Sequence, residues 1–246
     1  MLMDLNADVG EGCGDDAALM PLLTSASIAC GAHAGDAASM RRTVALALKH
    51  GVVVGAHVAY PDRAHFGRRD LTLPSAKLTA EILHQLKALS DIAEACGTRM
   101  RYVKAHGALY NRMAEDEATA AAVIAAVRSF DSTLPVLTLP GSTAETTAHR
   151  LGTKTVAEAF ADRAYTADGR LVSRDQAGAV ITDENTVVQR AVDIACTHCV
   201  QSIDGRSVHL HARSLCVHGD TPGAVRLARA LRTALEQVGV QLRAFA

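Results

Sequence analysis

The sequence predicts an α/β fold, a single-domain (β/α) barrel of seven strands, on three observations. Short runs rich in Val, Ile and Leu alternate with longer stretches of helical periodicity from the first residues to the last. The 246 residues fall inside the roughly 200 to 250 that a one-domain α/β barrel uses. Nearly every apolar run is followed at once by ionisable side chains, which in a parallel barrel gather at the mouth formed by the strand C-termini. No linker, low-complexity tract or shift in composition interrupts the pattern, so one domain is expected over residues 1–246.

In chain order, strands are expected at 3–8, 27–30, 52–56, 102–105, 136–139, 155–159 and 214–217. Helical periodicity fills the gaps at 37–50, 75–97, 115–130, 143–151, 185–200 and 222–238. Start signals accompany several of these: Pro74 with Ser75, Asp183, and the run Asp220, Thr221 and Pro222. The 25 basic and 26 acidic residues nearly cancel, so no global field draws the chain to nucleic acid or an anionic membrane, and neither is expected as a partner. The start MLMDLNADVG lacks a basic stretch leading into an apolar one, and nowhere do 18 apolar residues run together; a soluble, cytoplasmic protein is expected. Six cysteines in a chain able to build its own core are read as reduced thiols, and the lone pair Cys196 and Cys199 has no second pair at zinc-site spacing.

The polar residues after the strands form a ring. They are Asn6, Asp8 and Glu11; His33 and Asp36; His57 and Asp62; Lys104 and His106; Glu158, Asp162 and Arg163; and His218 and Asp220. The fifth strand is the exception, ending in Leu139, Pro140 and Gly141. A single histidine after a strand is commonly a loop residue bonded to a backbone carbonyl. Four of the eleven histidines at four different strand ends shift the balance toward a site.

These segments also resemble a known family, LamB/YcsF, that of the A subunit of ATP-hydrolysing 5-oxoprolinase. The resemblance rests on DLNADVGE at 4–11, SASIACGAHAGD at 25–36, VGAHVAYPD at 54–62 and FGRRD at 66–70. It continues in VKAHGALYN at 103–111, EAFADRAY at 158–165, DGRLVSR at 168–174 and VHGDTPGAV at 217–225, so nearly the whole chain is covered. Departures from the family pattern at Ala7, Ala32, Val58, Ala59 and Ala105 remove no ionisable group. The resemblance implies a barrel like that of the glycoside hydrolase and deacetylase superfamily. It further implies opening of the lactam of 5-oxo-L-proline (pyroglutamate) to L-glutamate, driven by ATP hydrolysis to ADP and phosphate with ATP carried by Mg2+, alongside partner subunits B and C.

For that chemistry the ring supplies the residue types needed. A lactam carbonyl resists water until it is activated, after which a general base must deliver the water; Asp8, His57 and His106 are of the right type and position. Lys104 and the pair Arg68 and Arg69 can meet developing or standing negative charge, and Glu158 completes the catalytic group. Asn6, His33, His218 and Asp220 are placed with the two arginines as substrate contacts. Asp8, His33 and His57 are candidates for holding a divalent metal. No Walker-type loop exists in the chain. Two weaker phosphate sites are the glycine-rich stretch 10–14 and the helix start at 219–222. Two other functions stay open: a stand-alone metal-dependent deacetylase or amidohydrolase, and a non-catalytic carrier subunit.

Overall fold

The computed structural model describes residues 1–219 and 223–246. Seven parallel strands close into a barrel: β1 (Leu2–Val9), β2 (Ser25–Ala29), β3 (Val53–Val58), β4 (Tyr102–Ala105), β5 (Val136–Thr138), β6 (Thr155–Phe160) and β9 (Ser214–Val217). Each pairs with the next, and β1 pairs with β9, Asn6 opposite Cys216, to complete the ring. A small antiparallel hairpin, β7 (Cys199–Gln201) with β8 (Ser207–His209), precedes the closing strand. A two-residue strand, β10 (Gln241–Leu242), joins the start of β1.

All seven barrel strands lie where the sequence predicts them, two with identical bounds. The helices agree as well: α2 (Ala37–His50), α3 (Ser75–Ala95), α5 (Glu117–Phe130), α6 (Thr143–Arg150), α7 (Glu184–Thr197) and α8 (Ala224–Gln237). Asp183 caps α7 by accepting the Thr186 N–H, as expected, whereas Pro74 stands before α3 without a side-chain cap. The cap signal at 220–222 lies outside the described residues. Two short helices, α1 (Asp16–Leu19) and α4 (Gly107–Glu115), are additional. No helix among the described residues is long and apolar enough to cross a membrane.

Period-two alternation makes the strands two-faced. On β1, Met3, Leu5, Ala7 and Val9 join the large apolar cluster that also takes in residues of the helices. Asp4, Asn6 and Asp8 occupy the alternate positions; Asp4 bonds to Ser25 on the neighbouring strand, and Asn6 and Asp8 bond through the barrel interior to Glu158 and Lys104. A second, small cluster of Tyr102, Leu137 and Val156, with Phe245 packed against it, fills the N-terminal end of the barrel. Gly55 is required there, because a Cβ at that position would stand 2.2 Å from the Tyr102 ring.

Candidate active site

Lys104 lies at the centre of the barrel interior. Its Nζ is 2.8 Å from Asp8 Oδ1, 3.0 Å from Glu158 Oε1 and 3.0 Å from Cys216 Sγ. Asn6 fixes the arrangement from below, its amide donating to Glu158 Oε1 and to Ser214 Oγ. Burial works against the ammonium, but Asp8, Cys216 and Glu158 outweigh it and raise the Lys104 pKa well above its ordinary value. Burial also pushes the Asp8 carboxyl up, yet His57 and Lys104 hold it well below the usual carboxylate range. The pair is therefore ionised at neutral pH.

Four strands raise a wall above this floor. Glu11 follows β1, His33 follows β2, His57 stands on β3 and His106 follows β4. Glu11 Oε1 is 2.9 Å from His33 Nε2, 3.4 Å from His106 Nδ1 and 3.8 Å from His57 Nε2. His33 and His106 stack in parallel with centroids 3.8 Å apart. Burial brings the His33 pKa down to about 4, and burial together with His57 and His33 lowers that of His106 well below the ordinary value, so both rings are neutral near pH 7. The loop after β3 seals the wall at Gly67, whose φ is +63° and where a Cβ would fall 2.9 Å from His33 Cβ.

Opposite stands a second imidazole system. His218 stacks on Phe160, and its Nδ1 lies 2.6 Å from Asp162 Oδ2. Burial raises the Asp162 carboxyl, but His218 outweighs it and keeps the acid below the usual range. Between the two systems is a cavity of about 190 Å3, lined by Asp8, Glu11, His57, Lys104, His106 and His218, with Arg68 and Arg174 also contributing. Arg163, on the same cavity, is tied by its guanidinium to the carbonyls of Val172 and Ala179, and so braces the loop that carries Arg174.

Asp8, His33, His57, Lys104, His106 and Glu158 thus converge as the strand ends predict. Their depth differs from a rim: Asp8 is 7 % exposed and His57 1 %. Asn6, His33 and Glu158 stand behind the lining rather than on it. Arg68 lines the cavity, while its neighbour Arg69 is exposed and lies against His65. Asp220 is outside the described residues. Asp36, read from sequence as part of the ring, is the N-cap of α2. Asp162, Arg174 and Cys216 receive no chemical role from the sequence, yet the structure brings all three to the site. Cys216 does carry a signal, since Ser214, Cys216 and His218 share one strand face by period two.

Potential metal donors fall into two groups among the described residues: Glu11, His33, His57 and His106, and Asp8, Cys216 and His218, in each case with the donor atoms within 4.8 Å of one another. The expected trio of Asp8, His33 and His57 is therefore divided between them. The glycine-rich stretch 10–14 is a poor phosphate cradle, because the Gly10 N–H is already taken by the Asp16 carboxylate at 2.8 Å.

Fold and site together define a parallel-barrel protein with a charged floor and an imidazole wall at the strand C-termini, the end at which barrel enzymes of this kind carry their chemistry. The model of the LamB/YcsF family matches residues 3–246. The chain is 53% identical to the A subunit of the 5-oxoprolinase of Streptomyces avermitilis, all of both chains being covered. It superposes on a lactam utilization protein from Thermus thermophilus with a TM-score of 0.94 and 42% identity, again over both whole chains. A peptidoglycan N-acetylglucosamine deacetylase catalytic domain from Eubacterium rectale shares the fold alone, with a TM-score of 0.55 and 10% identity over 100% of this chain and 88% of that one. The chain belongs to the LamB/YcsF family.

Proposed function

We propose that the chain is the A subunit of an ATP-dependent 5-oxoprolinase, a cytoplasmic assembly with subunits B and C that converts 5-oxo-L-proline to L-glutamate as ATP becomes ADP and phosphate. The observation that carries this reading is the cavity. At about 190 Å3 it suits a five-membered ring acid and lies below the roughly 300 to 1,000 Å3 of sites for larger ligands, a nucleotide included. Arg68 and Arg174 offer forks for the substrate carboxylate, and Lys104 and the imidazoles face the ring carbonyl. The names of the relatives agree with a lactam substrate.

The chemistry divides into steps that balance. Transfer of the γ-phosphoryl group to the lactam oxygen releases ADP and makes the ring carbon electrophilic. Water attacks that carbon as a base takes its proton; the C–N bond then breaks, and the nitrogen gains a proton to leave as the amine. The resulting γ-glutamyl phosphate takes a second water to give glutamate and phosphate. Asp8 is a weak proton acceptor, because its conjugate acid hardly forms near neutral pH. His218 is better placed: with Nδ1 bonded to Asp162, its Nε2 is the nitrogen left for the cavity. ATP, as its magnesium complex, is assigned chiefly to the partners.

The test follows glutamate and ADP formed from 5-oxoproline and ATP by the chain alone, by the partners alone, and by all three. Turnover is expected only with all three present, and His218→Gln is expected to lower it by about 10²- to 10⁴-fold. ATP-independent ring opening by the chain alone would replace this reading with a stand-alone amidohydrolase. Undiminished turnover by B and C without the chain would leave it a carrier.

A further inference from the structure

The contact at the centre of the imidazole wall needs a positive charge between two ring nitrogens. His57 Nδ1 is 3.3 Å from the Lys104 carbonyl, and His106 Nε2 is 2.9 Å from the Phe66 carbonyl. A carbonyl only accepts, so each of these nitrogens carries its ring's proton. The other two, His57 Nε2 and His106 Nδ1, face each other at 2.9 Å, and only a second proton on one ring or a metal ion between them makes that contact attractive. Beside that contact stand further acceptors: Glu11 Oε1, 3.4 Å from His106 Nδ1 and 3.8 Å from His57 Nε2, and Asp8 Oδ2, 3.3 Å from His57 Nε2. Ring nitrogens and carboxylates converging in this way call for a cation.

We propose that Glu11, His33, His57 and His106 form a binding site for one divalent transition-metal ion of the Zn2+ type. Each ligand comes from a different strand end, and all four are at most 9 % exposed, so the rigid barrel holds them in place. His33 adds a third imidazole to the group, its Nε2 lying 2.9 Å from Glu11 Oε1 and its ring stacked on that of His106. Three imidazoles and one carboxylate suit borderline metals such as Zn2+, Co2+ or Fe2+, whereas Mg2+ and Ca2+ prefer oxygen shells. The carbonyls of Lys104 and Phe66 fill the outer role usual for metal-bound imidazole, fixing ring orientation and tautomer. This assignment holds whether or not the lactam reading does.

The experiment is to strip the purified full chain with chelator, confirm its fold by circular dichroism, and titrate it with Zn2+ by calorimetry and with Co2+ by visible absorption. The expected result is one ion per chain, with the intense visible bands of a low-coordinate Co2+ site. Glu11→Gln and His106→Gln, checked for folding in the same way, are expected to weaken binding by about 100-fold or more, since losing even an outer-shell partner costs up to about that factor. The exposed thiol Cys196, and Cys199 with its Sγ 3.3 Å from His209 Nδ1, form the competing surface site, so a Cys196→Ser, Cys199→Ser variant is titrated alongside. No stoichiometric binding, unchanged affinity in both folded mouth variants, or loss of binding in the cysteine variant would each overturn the proposal.

Discussion

Asp4 and Asp8 stand four residues apart on the same inward face of β1, and the barrel treats them in opposite ways. At the N-terminal end, Asp4 accepts hydrogen bonds from Thr24, Ser25 and Ser214, all of them neutral hydroxyls. Burial dominates there and raises its pKa to about 6. At the mouth, Asp8 has Lys104 at 2.8 Å and His57 at 3.3 Å, and its pKa goes down. One strand and one degree of enclosure yield a carboxyl that titrates near neutrality at one end and a permanent anion at the other. A buried carboxylate does not by itself make a reactive site; the cation beside it decides.

Removing that cation should produce the largest effect. Lys104→Met leaves Glu158 without its cation and Asp8 with His57 alone, and a loss of about 3 to 5 kcal/mol in urea unfolding is expected. Adding Asp8→Asn and Glu158→Gln to that variant should restore most of the stability but none of the activity. A loss below about 1 kcal/mol in Lys104→Met would erase the distinction between the two ends.

Asp4→Asn should move stability the other way, and only at higher pH. The native Asp4 pKa of about 6 exceeds the unfolded value near 3.8, so its contribution is complete below about pH 3.8 and is lost as pH rises through 6. Near pH 8 the neutral amide should be more stable than wild type by up to about 3 kcal/mol, a gain that vanishes by about pH 4. Denaturant melts at the two pH values measure the difference; an equal effect at both would mean that Asp4 is not perturbed. Gly55→Ala is the mildest change. It drives a Cβ into the Tyr102 ring and should cost about 1 to 3 kcal/mol in the same assay at either pH, with no pH dependence of its own.

Much of this architecture can be read from the chain because each barrel strand is a short aliphatic run with a polar step at its end. The hairpin β7 and β8 stays hidden for the opposite reason. Each of its strands has one buried apolar residue, Val200 or Val208, in an otherwise polar stretch, so no alternation stands out. At the site, strand ends reveal which residues meet but not how deep each lies. Glu158 and Asn6 look like rim residues in sequence, yet they are the layer beneath the cavity, a distinction that depends on register between β1, β6 and β9. His218 owes its orientation to Asp162, 56 positions away, and no local pattern exposes such a pair.

The ring closure between β1 and β9 also bears on how the chain is made. The bond from Asn6 to Ser214 spans 208 positions, so at about 5 to 20 residues per second β1 waits roughly 10 to 40 s on the ribosome for its second neighbour. Throughout that interval one flank of β1 exposes unpaired backbone groups, the template on which strands from other nascent chains assemble. Inward-pointing charges on a strand are a known guard against such pairing, and Asp4 and Asp8 supply two of them. The residues that later furnish the cavity can thus protect the unfinished polypeptide from its own kind.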